Sequence, residues 1–291
     1  MRQPASSMLG EAASLFALLG GVGRAHLAIV GGLVPPLLAP EHAASHIGSA
    51  DVDLCLSVAI TEGRTAHYKS IEEKLSPYFE VVPDTAFRWQ KRQDAPGLPL
   101  VVDFLAPDDE SAPIADGTRE IADPIAVENL GLRLRPHPIR CGDVVDEDAI
   151  VSMLEGVELV YVPGRADVEV RHAGPVGFLA AKADALSSRG ATPEGAKDGY
   201  DITWWCLHAA DSPSDAAGLV IERPAFRHAK FVESVHQLKR GFADRDYPGP
   251  TGYAIEQTGL DQGDQEFEQA RNASYAAVTQ LVERLEAELW P

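Results

Sequence analysis

The pattern of apolar positions changes from helical to strand-like within the first third of the chain. Residues 7–19 carry leucine, methionine and phenylalanine among alanines, at a spacing that places them on one helix face. Residues 25–30 form a short apolar run, and Gly31-Gly32 follows it directly. Two prolines shortly afterwards suit the first turn of a helix. This pattern predicts a helix, a buried strand, a glycine turn and a second helix.

Further alternation of strand and helix patterns continues beyond this point. Residues 52–60 and 98–105 are typical of buried strands, and residues 64–75 have a helical pattern. Residues 106–124 are rich in Asp, Glu, Pro and Ser, which predicts a surface loop. A hairpin-like pair of strands is predicted at residues 158–162 and 167–171. We therefore expect an α/β or α+β core in residues 1–174.

From residue 177 onward the pattern becomes helical. Helices are predicted for four segments separated by Gly and Pro: residues 178–189, 196–208, 225–241 and 264–289. Trp204 and Trp205 are adjacent within one of them, which favours packing in a core over base stacking. We expect a second, helical domain in residues 175–291.

Composition and charge restrict the class of protein. The 291 residues include 44 acidic and 25 basic side chains, with a formal net charge of −19. This balance argues against sequence-blind adhesion to nucleic acid or anionic membranes, and no apolar run reaches the roughly 18 residues that span a bilayer. The few, widely spaced cysteines fit reduced thiols in a cytoplasmic protein. They are Cys55, Cys141 and Cys206.

One local exception to the acidic charge lies between residues 221 and 240. A helix beginning at residue 225 would place Arg227 and Lys230 on one face, with Arg223 just ahead of it. Such a face predicts contacts with the phosphates of an RNA. The alternative is a solvated surface that pairs with acidic side chains elsewhere.

The candidate chemistry lies in three carboxylates at strand positions. Side chains alternate along a strand, so Asp51 and Asp53 point to one face while Val52 points to the core. Asp103 lies in an otherwise apolar strand, where a charge needs a partner such as a metal ion. Carboxylate oxygens are common ligands of Mg²⁺. The three aspartates therefore predict a divalent metal site.

The glycine pair ahead of these aspartates has a physical use of its own. Gly31 and Gly32 carry no side chains, so backbone N–H groups of the turn can approach a triphosphate closely. We expect both glycines to contribute to nucleotide binding, together with Ser49 just before Asp51.

The order of strand, Gly31-Gly32, helix, Asp51-Val52-Asp53 and a later strand with Asp103 resembles the nucleotidyltransferase superfamily with the DNA polymerase β-like fold. The resemblance implies a polymerase β-like core with a mixed sheet. It implies an enzyme that transfers a nucleoside monophosphate from an NTP to an acceptor hydroxyl and releases pyrophosphate. Two Mg²⁺ ions, or Mn²⁺ in their place, are expected, one held by all three aspartates and one by Asp51 and Asp53. Asp103 is also the best candidate general base.

A second stretch is similar to the AbiEii-type branch, the nucleotidyltransferase toxins of type IV toxin–antitoxin systems. Lys182 and Arg189 lie seven residues apart on one predicted helix, and Asp198 and Asp201 lie three apart on the next. The resemblance implies that Lys182 binds the triphosphate and that Asp198 and Asp201 position Lys182 or the acceptor. It also implies an RNA acceptor, such as a tRNA end, and an antitoxin protein as a partner.

Two alternatives to this function stay open. The acceptor of a nucleotidyltransferase is in some cases a small molecule or a protein side chain. A chain of the same fold can also bind nucleotide without transferring it. The presence of all three carboxylates favours the enzyme over such a non-catalytic module.

Overall fold

The computed structural model describes residues 4–57, 65–83, 85, 87–108, 114–115, 118–119 and 133–291. The chain divides into two units. Unit 1 comprises Met1–Leu33 and Gly48–Ala173, and unit 2 comprises Val34–Ile47 and Gly174–Pro291. The division predicted after residue 174 differs from this one by Gly174 and by the segment Val34–Ile47, which both group with unit 2.

Unit 1 contains both helices and strands, whereas unit 2 is helical. The strands are, in chain order, β1 (Leu27–Val30), β2 (Asp51–Leu56), β3 (Phe79–Val81), β4 (Arg88–Lys91), β5 (Val101–Pro107), β6 (Ile114–Ala115), β7 (Thr118–Arg119), β8 (His137–Ile139), β9 (Ile150–Glu158) and β10 (Arg165–His172). The helices are α1 (Ala5–Leu19), α2 (Gly21–His26), α3 (Val34–Leu38), α4 (Thr65–Leu75), α5 (Gly142–Glu147), α6 (Pro175–Arg189), α7 (Pro193–His208), α8 (Pro213–Ile221), α9 (Ala229–Gly241), α10 (Pro248–Thr258) and α11 (Gln265–Leu289). Short 3₁₀ turns occur at Gly31–Leu33, Pro40–Ser45 and Pro224–Arg227.

One mixed sheet forms the centre of unit 1. Its strand order is β3-β4-β5-β2-β1-β10-β9, and β8 pairs with β5. The pairs β1–β10, β2–β5 and β5–β8 are parallel, and the other pairs of this sheet are antiparallel. Along β2, Val52 and Leu54 are fully buried, while Asp51 and Asp53 on the opposite face are only partly buried. The predicted α/β class with a mixed sheet and a helical C-terminal region is confirmed.

Several predicted strands of unit 1 have different bounds in the structure. The first strand of the hairpin, β9, ends at Glu158, where the first predicted strand begins, so that prediction is wrong. The chain turns near Gly164 into β10, which contains the second predicted strand. The segment predicted as a surface loop contains the short paired strands β6 and β7, and most of the rest of it lies outside the described residues. Strand β2 is described to Leu56, so residues 58–60 of its predicted extent also lie outside.

Unit 2 buries large aromatic side chains in a helical core. Trp204 and Trp205 are each 1% exposed, which confirms their predicted packing role. The sequence pattern does not predict α8 and α10, because the prolines that signal breaks there occupy the first turns of these helices. Among the described helices of the chain, none has the length and apolarity needed to cross a bilayer.

The helix predicted from residue 225 begins later in the structure. Pro224–Arg227 is a 3₁₀ turn, and the side chain of His228 accepts a hydrogen bond of 3.3 Å from the backbone N–H of Lys230. Helix α9 therefore begins at Ala229. Arg227 precedes this helix and does not share a helix face with Lys230, contrary to the prediction.

Candidate functional site

Three aspartates meet on one face of the sheet in unit 1. Asp51 and Asp53 lie on β2, and Asp103 lies beside Asp53 on the adjacent parallel strand β5. Each residue offers one carboxylate oxygen, and these oxygens lie within 4.8 Å of one another. We call Asp51, Asp53 and Asp103 the carboxylate cluster. The parallel register of β2 and β5 brings together residues that are about fifty positions apart in the chain.

Two neighbouring residues shape the carboxylate cluster. Ser49 is fully buried, and its Oγ donates a hydrogen bond of 2.8 Å to Asp51 Oδ1. Gly31, in the turn after β1, has a φ of +72°, and a Cβ at this residue would overlap Asp53 Oδ2. Glycine is needed there both for the left-handed backbone and for the space that the carboxylate occupies. Gly32 is buried in the same 3₁₀ turn.

Arg88 belongs to this site, although the sequence pattern does not reveal it. It lies on β4 opposite Asp103 in antiparallel register. Its Nε donates to Asp103 Oδ1 at 2.8 Å, and its Nη2 donates to Asp103 Oδ2 at 2.6 Å. The hydrogen bonds with Asp103 raise the pKa of Arg88, burial partly offsets this effect, and the negative charges of the cluster add to it. A buried carboxylate signals that a partner exists, but only the register of β4 identifies the partner.

The donors of the carboxylate cluster fit a hard divalent cation. Carboxylate oxygens suit Mg²⁺ and Mn²⁺, and Mg²⁺ in particular is commonly held by one or two carboxylates together with substrate phosphates. Three like charges at this separation also repel one another, so a cation between them is favourable. These three nearby aspartates can therefore bind a divalent metal ion.

A second group of predicted site residues lies in unit 2. Lys182 on α6 is 6% exposed, and its Nζ lies 2.8 Å from Asp198 Oδ1 and 2.6 Å from Asp201 Oδ2, both on α7. Arg189 Nη1 donates to the other oxygen of Asp198 at 3.0 Å. His46 Nε2, from the segment Val34–Ile47, lies 3.2 Å from Asp201 Oδ1. The structure thus brings Lys182, Asp198 and Asp201 into direct contact.

Mutual pairing shifts the pKa values within this group. Burial alone would lower the pKa of Lys182, but the charges of Asp198 and Asp201 outweigh it and raise the pKa above its ordinary value. Burial alone would raise the pKa of Asp201, but Lys182 and the hydrogen bond with His46 lower it. Lys182 and Asp201 therefore stay charged at neutral pH, and each neutralises the other.

The basic residues predicted to contact RNA lie at the surface of unit 2. Arg223 precedes the 3₁₀ turn, and Arg227 is its last residue. Lys230 lies in the first turn of α9. Arg227 is exposed, and its guanidinium carbon lies 5.8 Å from the centroid of the Phe226 ring. These side chains are close in sequence, but they do not form the regular helical line that was expected.

One buried histidine lies on β10, apart from the predicted site residues. His172 is fully buried, its Nδ1 lies 2.9 Å from the carbonyl oxygen of Ala173, and its Nε2 lies 2.8 Å from Ser152 Oγ. A carbonyl oxygen only accepts, so Nδ1 carries the proton and Nε2 accepts from Ser152. Burial lowers the pKa of His172 to about 4, although the bond to Ala173 opposes this shift.

Comparisons with known proteins return distant structural likenesses. No protein-family model matches the chain, and no curated protein matches its sequence. A crystal structure of an antigenic nucleotidyltransferase-like protein from Paracoccidioides brasiliensis is 14% identical, with 81% of this chain and 88% of that chain covered and a TM-score of 0.44. The structure of a STING-associated CdnE c-di-GMP synthase from Capnocytophaga granulosa is 11% identical, with 97% and 81% covered and a TM-score of 0.30.

Proposed function

We propose that this chain is a nucleotidyltransferase, which moves a nucleoside monophosphate from an NTP to an acceptor hydroxyl and releases pyrophosphate. The observation that carries the proposal is the convergence of Asp51, Asp53 and Asp103 within 4.8 Å. Their placement behind a strand and a glycine turn agrees with the superfamily resemblance of the sequence. Phosphoryl-type transfer depends mainly on positioning and charge neutralisation, which such a cluster can supply.

Each predicted site residue of unit 1 has a defined role in this proposal. Bound Mg²⁺ ions would supply charge neutralisation on the triphosphate and would lower the pKa of the acceptor hydroxyl. Asp51, Asp53 and Asp103 would hold them, and Asp103 would accept the hydroxyl proton as general base. Ser49 fixes the orientation of Asp51 through its hydrogen bond. Gly31 and Gly32 would let backbone N–H groups approach the triphosphate.

For Lys182, Asp198 and Asp201 we propose a contribution to nucleotide binding, as the AbiEii resemblance implies. The 2.8 Å and 2.6 Å contacts of Lys182 support a role for the two aspartates in holding its ammonium group. The ammonium group of Lys182 has three N–H donors, and the two aspartates engage it through one oxygen each. In this proposal Lys182 would bind a phosphate oxygen while the two carboxylates continue to hold it.

The acceptor and cellular context are finer proposals. An RNA acceptor, such as a tRNA end, fits the toxin-like resemblance, and Arg223, Arg227 and Lys230 would contact its phosphates. An antitoxin protein would then be a partner. A cytoplasmic location is supported by Cys55, Cys141 and Cys206, which are all buried and free of disulfides.

A transfer assay separates the enzyme from a non-catalytic module. The full-length protein is incubated with Mg²⁺, total RNA and each of the four NTPs labelled at the α-phosphate, with protein and small-molecule acceptors tested in parallel. Label that becomes covalently attached to an acceptor supports the enzyme. Nucleotide binding in equilibrium dialysis without transfer to any acceptor contradicts it and favours a module that only binds.

A further inference from the structure

Arg88 engages the whole carboxylate of Asp103. Its Nε and Nη2 bind one oxygen each, at 2.8 Å and 2.6 Å, in the parallel fork that arginine forms with carboxylates. The side chain of Asp103 is 8% exposed, whereas that of Arg88 is 41% exposed. The carboxylate of Asp103 is therefore buried in the sheet, whereas the side chain of Arg88 reaches solvent.

The position of Arg88 brings a positive charge to a group of three negative charges. The oxygens of the carboxylate cluster lie within 4.8 Å of one another, and the guanidinium interacts electrostatically with Asp51 and Asp53 as well as with Asp103. A cation at this place lowers the mutual repulsion of the aspartates. A divalent metal ion that binds the cluster lowers the same repulsion. The positive charge of Arg88 therefore opposes the binding of the metal ion.

We propose that Arg88 is a positioning residue whose positive charge takes the place of a divalent cation beside Asp103. Arg88 thereby weakens and controls metal binding by the carboxylate cluster. The inference rests on the proposed function, because it takes the cluster as a metal site. Any metal ion that uses an oxygen of Asp103 must share that oxygen with Arg88 or displace it. Arg88 thus keeps Asp103 in its rotamer and stabilises the metal-free protein.

A purely structural role for Arg88 predicts a different result. In that case, loss of the cross-strand pair would lower the free energy of unfolding equally at every metal concentration, and the affinity for metal would not change. The counter-cation role predicts that metal affinity rises when the positive charge is removed. It also predicts that added metal recovers the stability lost by the variant.

The test uses the full-length protein and Mn²⁺ alone, without nucleotide. Binding is followed by the loss of the free Mn²⁺ signal in electron paramagnetic resonance, and thermal unfolding is measured with EDTA and with Mn²⁺. The variant is Arg88→Gln. The matched control is Arg92→Gln, because Arg92 is 37% exposed, lies just after β4 and forms a 3.4 Å ion pair with Glu80. Both variants remove one positive charge from unit 1.

We expect Arg88→Gln to bind Mn²⁺ about threefold to tenfold more tightly than the wild type, an effect expected from one partly screened charge at this distance. Arg92→Gln should bind as the wild type does. Arg88→Gln should melt lower than the wild type in EDTA, and Mn²⁺ should restore most of the difference.

Three results would overturn the inference. If the wild type binds Mn²⁺ and Arg88→Gln binds it no more tightly than Arg92→Gln, the role of Arg88 is wrong while the metal site stands. If neither the wild type nor Arg88→Gln binds Mn²⁺, the metal site of the proposed function is wrong as well. If Arg88→Gln does not fold in EDTA and Mn²⁺ fails to restore folding, Arg88 is structural and not a substitute for the metal.

Discussion

The carboxylate of Asp53 fills the space that a side chain at Gly31 would occupy. A Cβ built on Gly31 overlaps Asp53 Oδ2, and the φ of +72° at this glycine is itself unfavourable for other residues. The turn after β1 and the carboxylate cluster are thus coupled: a change in the turn displaces a candidate metal ligand.

Replacement of Gly31 by alanine tests this coupling. We expect Gly31→Ala to lower the free energy of unfolding by about 2–4 kcal/mol, from backbone strain and from displacement of Asp53, and to weaken Mn²⁺ binding. The control is Gly259→Ala, because Gly259 has a φ of +65° but nothing within 4 Å of its added Cβ. The control should lose about 1 kcal/mol and keep its neighbours in place. Equal effects of both variants on stability and Mn²⁺ binding would contradict the coupling.

Lys182 offers a test of the buried charge network in unit 2. Its removal leaves Asp198 and Asp201 without their nearest cation, and both are almost fully buried. We expect Lys182→Met to lower the free energy of unfolding by about 3–5 kcal/mol in denaturant titrations. Lys239→Met is the control, because Lys239 pairs with Glu286 at 2.9 Å but its side chain is 59% exposed. It should cost less than about 1 kcal/mol.

The variant Lys182→Met also separates an effect on stability from an effect on nucleotide binding. If Lys182 contributes to nucleotide binding as proposed, Lys182→Met should also lower kcat/KM by at least about tenfold, measured below its melting temperature. Unchanged nucleotide kinetics in a folded Lys182→Met protein would show that the network is structural alone.

His172 predicts how stability depends on pH. Burial lowers its pKa from 6.5 to about 4. As the pH falls, His172 therefore takes up a proton in the unfolded chain at a higher pH than in the folded protein. The stability that neutral His172 contributes is complete above about pH 6.5 and is lost as the pH falls toward about 4. Between these values the wild type should lose about 3 kcal/mol relative to His172→Gln. Urea titrations at several pH values measure this difference, and the exposed His42, replaced by Gln, is the control. If the free energies of unfolding of the wild type and His172→Gln change with pH in parallel, the lowered pKa of His172 is contradicted.

Arg227 and Lys230 test the proposed RNA contact. Reversal of both to Glu should weaken RNA binding and reduce the log–log salt slope by about one unit per lost phosphate contact. NTP binding should not change, because these side chains are proposed to meet only the acceptor. This prediction depends on the charges of the two side chains and not on a shared helix face, which the 3₁₀ turn at residues 224–227 does not provide. Unchanged RNA affinity and salt slope in the double variant would leave this surface without a role in acceptor binding.

The sequence was most informative where local pattern determines side-chain direction. The alternation around Asp51 and Asp53 predicts a carboxylate pair on one strand face, and β2 has this arrangement. Asp103 stood out because its neighbours are apolar. The superfamily resemblance implies a third carboxylate on a later strand, and the parallel pairing of β2 with β5 that brings Asp103 beside Asp53 is a finding of the structure.

The contribution of Arg88 and the contact between His46 and Asp201 could not be predicted in this way. Arg88 lies on β4, a strand of four residues in a polar stretch, and only its register with β5 places it opposite Asp103. Such pairing is long-range, and no single-sequence pattern encodes it. Similarly, His46 contacts Asp201 although the two residues are 155 positions apart in the sequence. This contact depends on the segment Val34–Ile47 belonging to the helical unit.

The most direct test of the proposed activity compares the wild type with Asp53→Asn in transfer of label from NTP to RNA. With Mg²⁺ present, the wild type should transfer label from the α-phosphate and not from the γ-phosphate, and EDTA should abolish transfer. Asp53→Asn should lower the rate by at least about 100-fold, because a carboxylate ligand is lost, while the exposed Asp94→Asn should retain full activity. Transfer from the γ-phosphate, or near-normal α-label transfer by Asp53→Asn, would contradict nucleotidyl transfer by the carboxylate cluster.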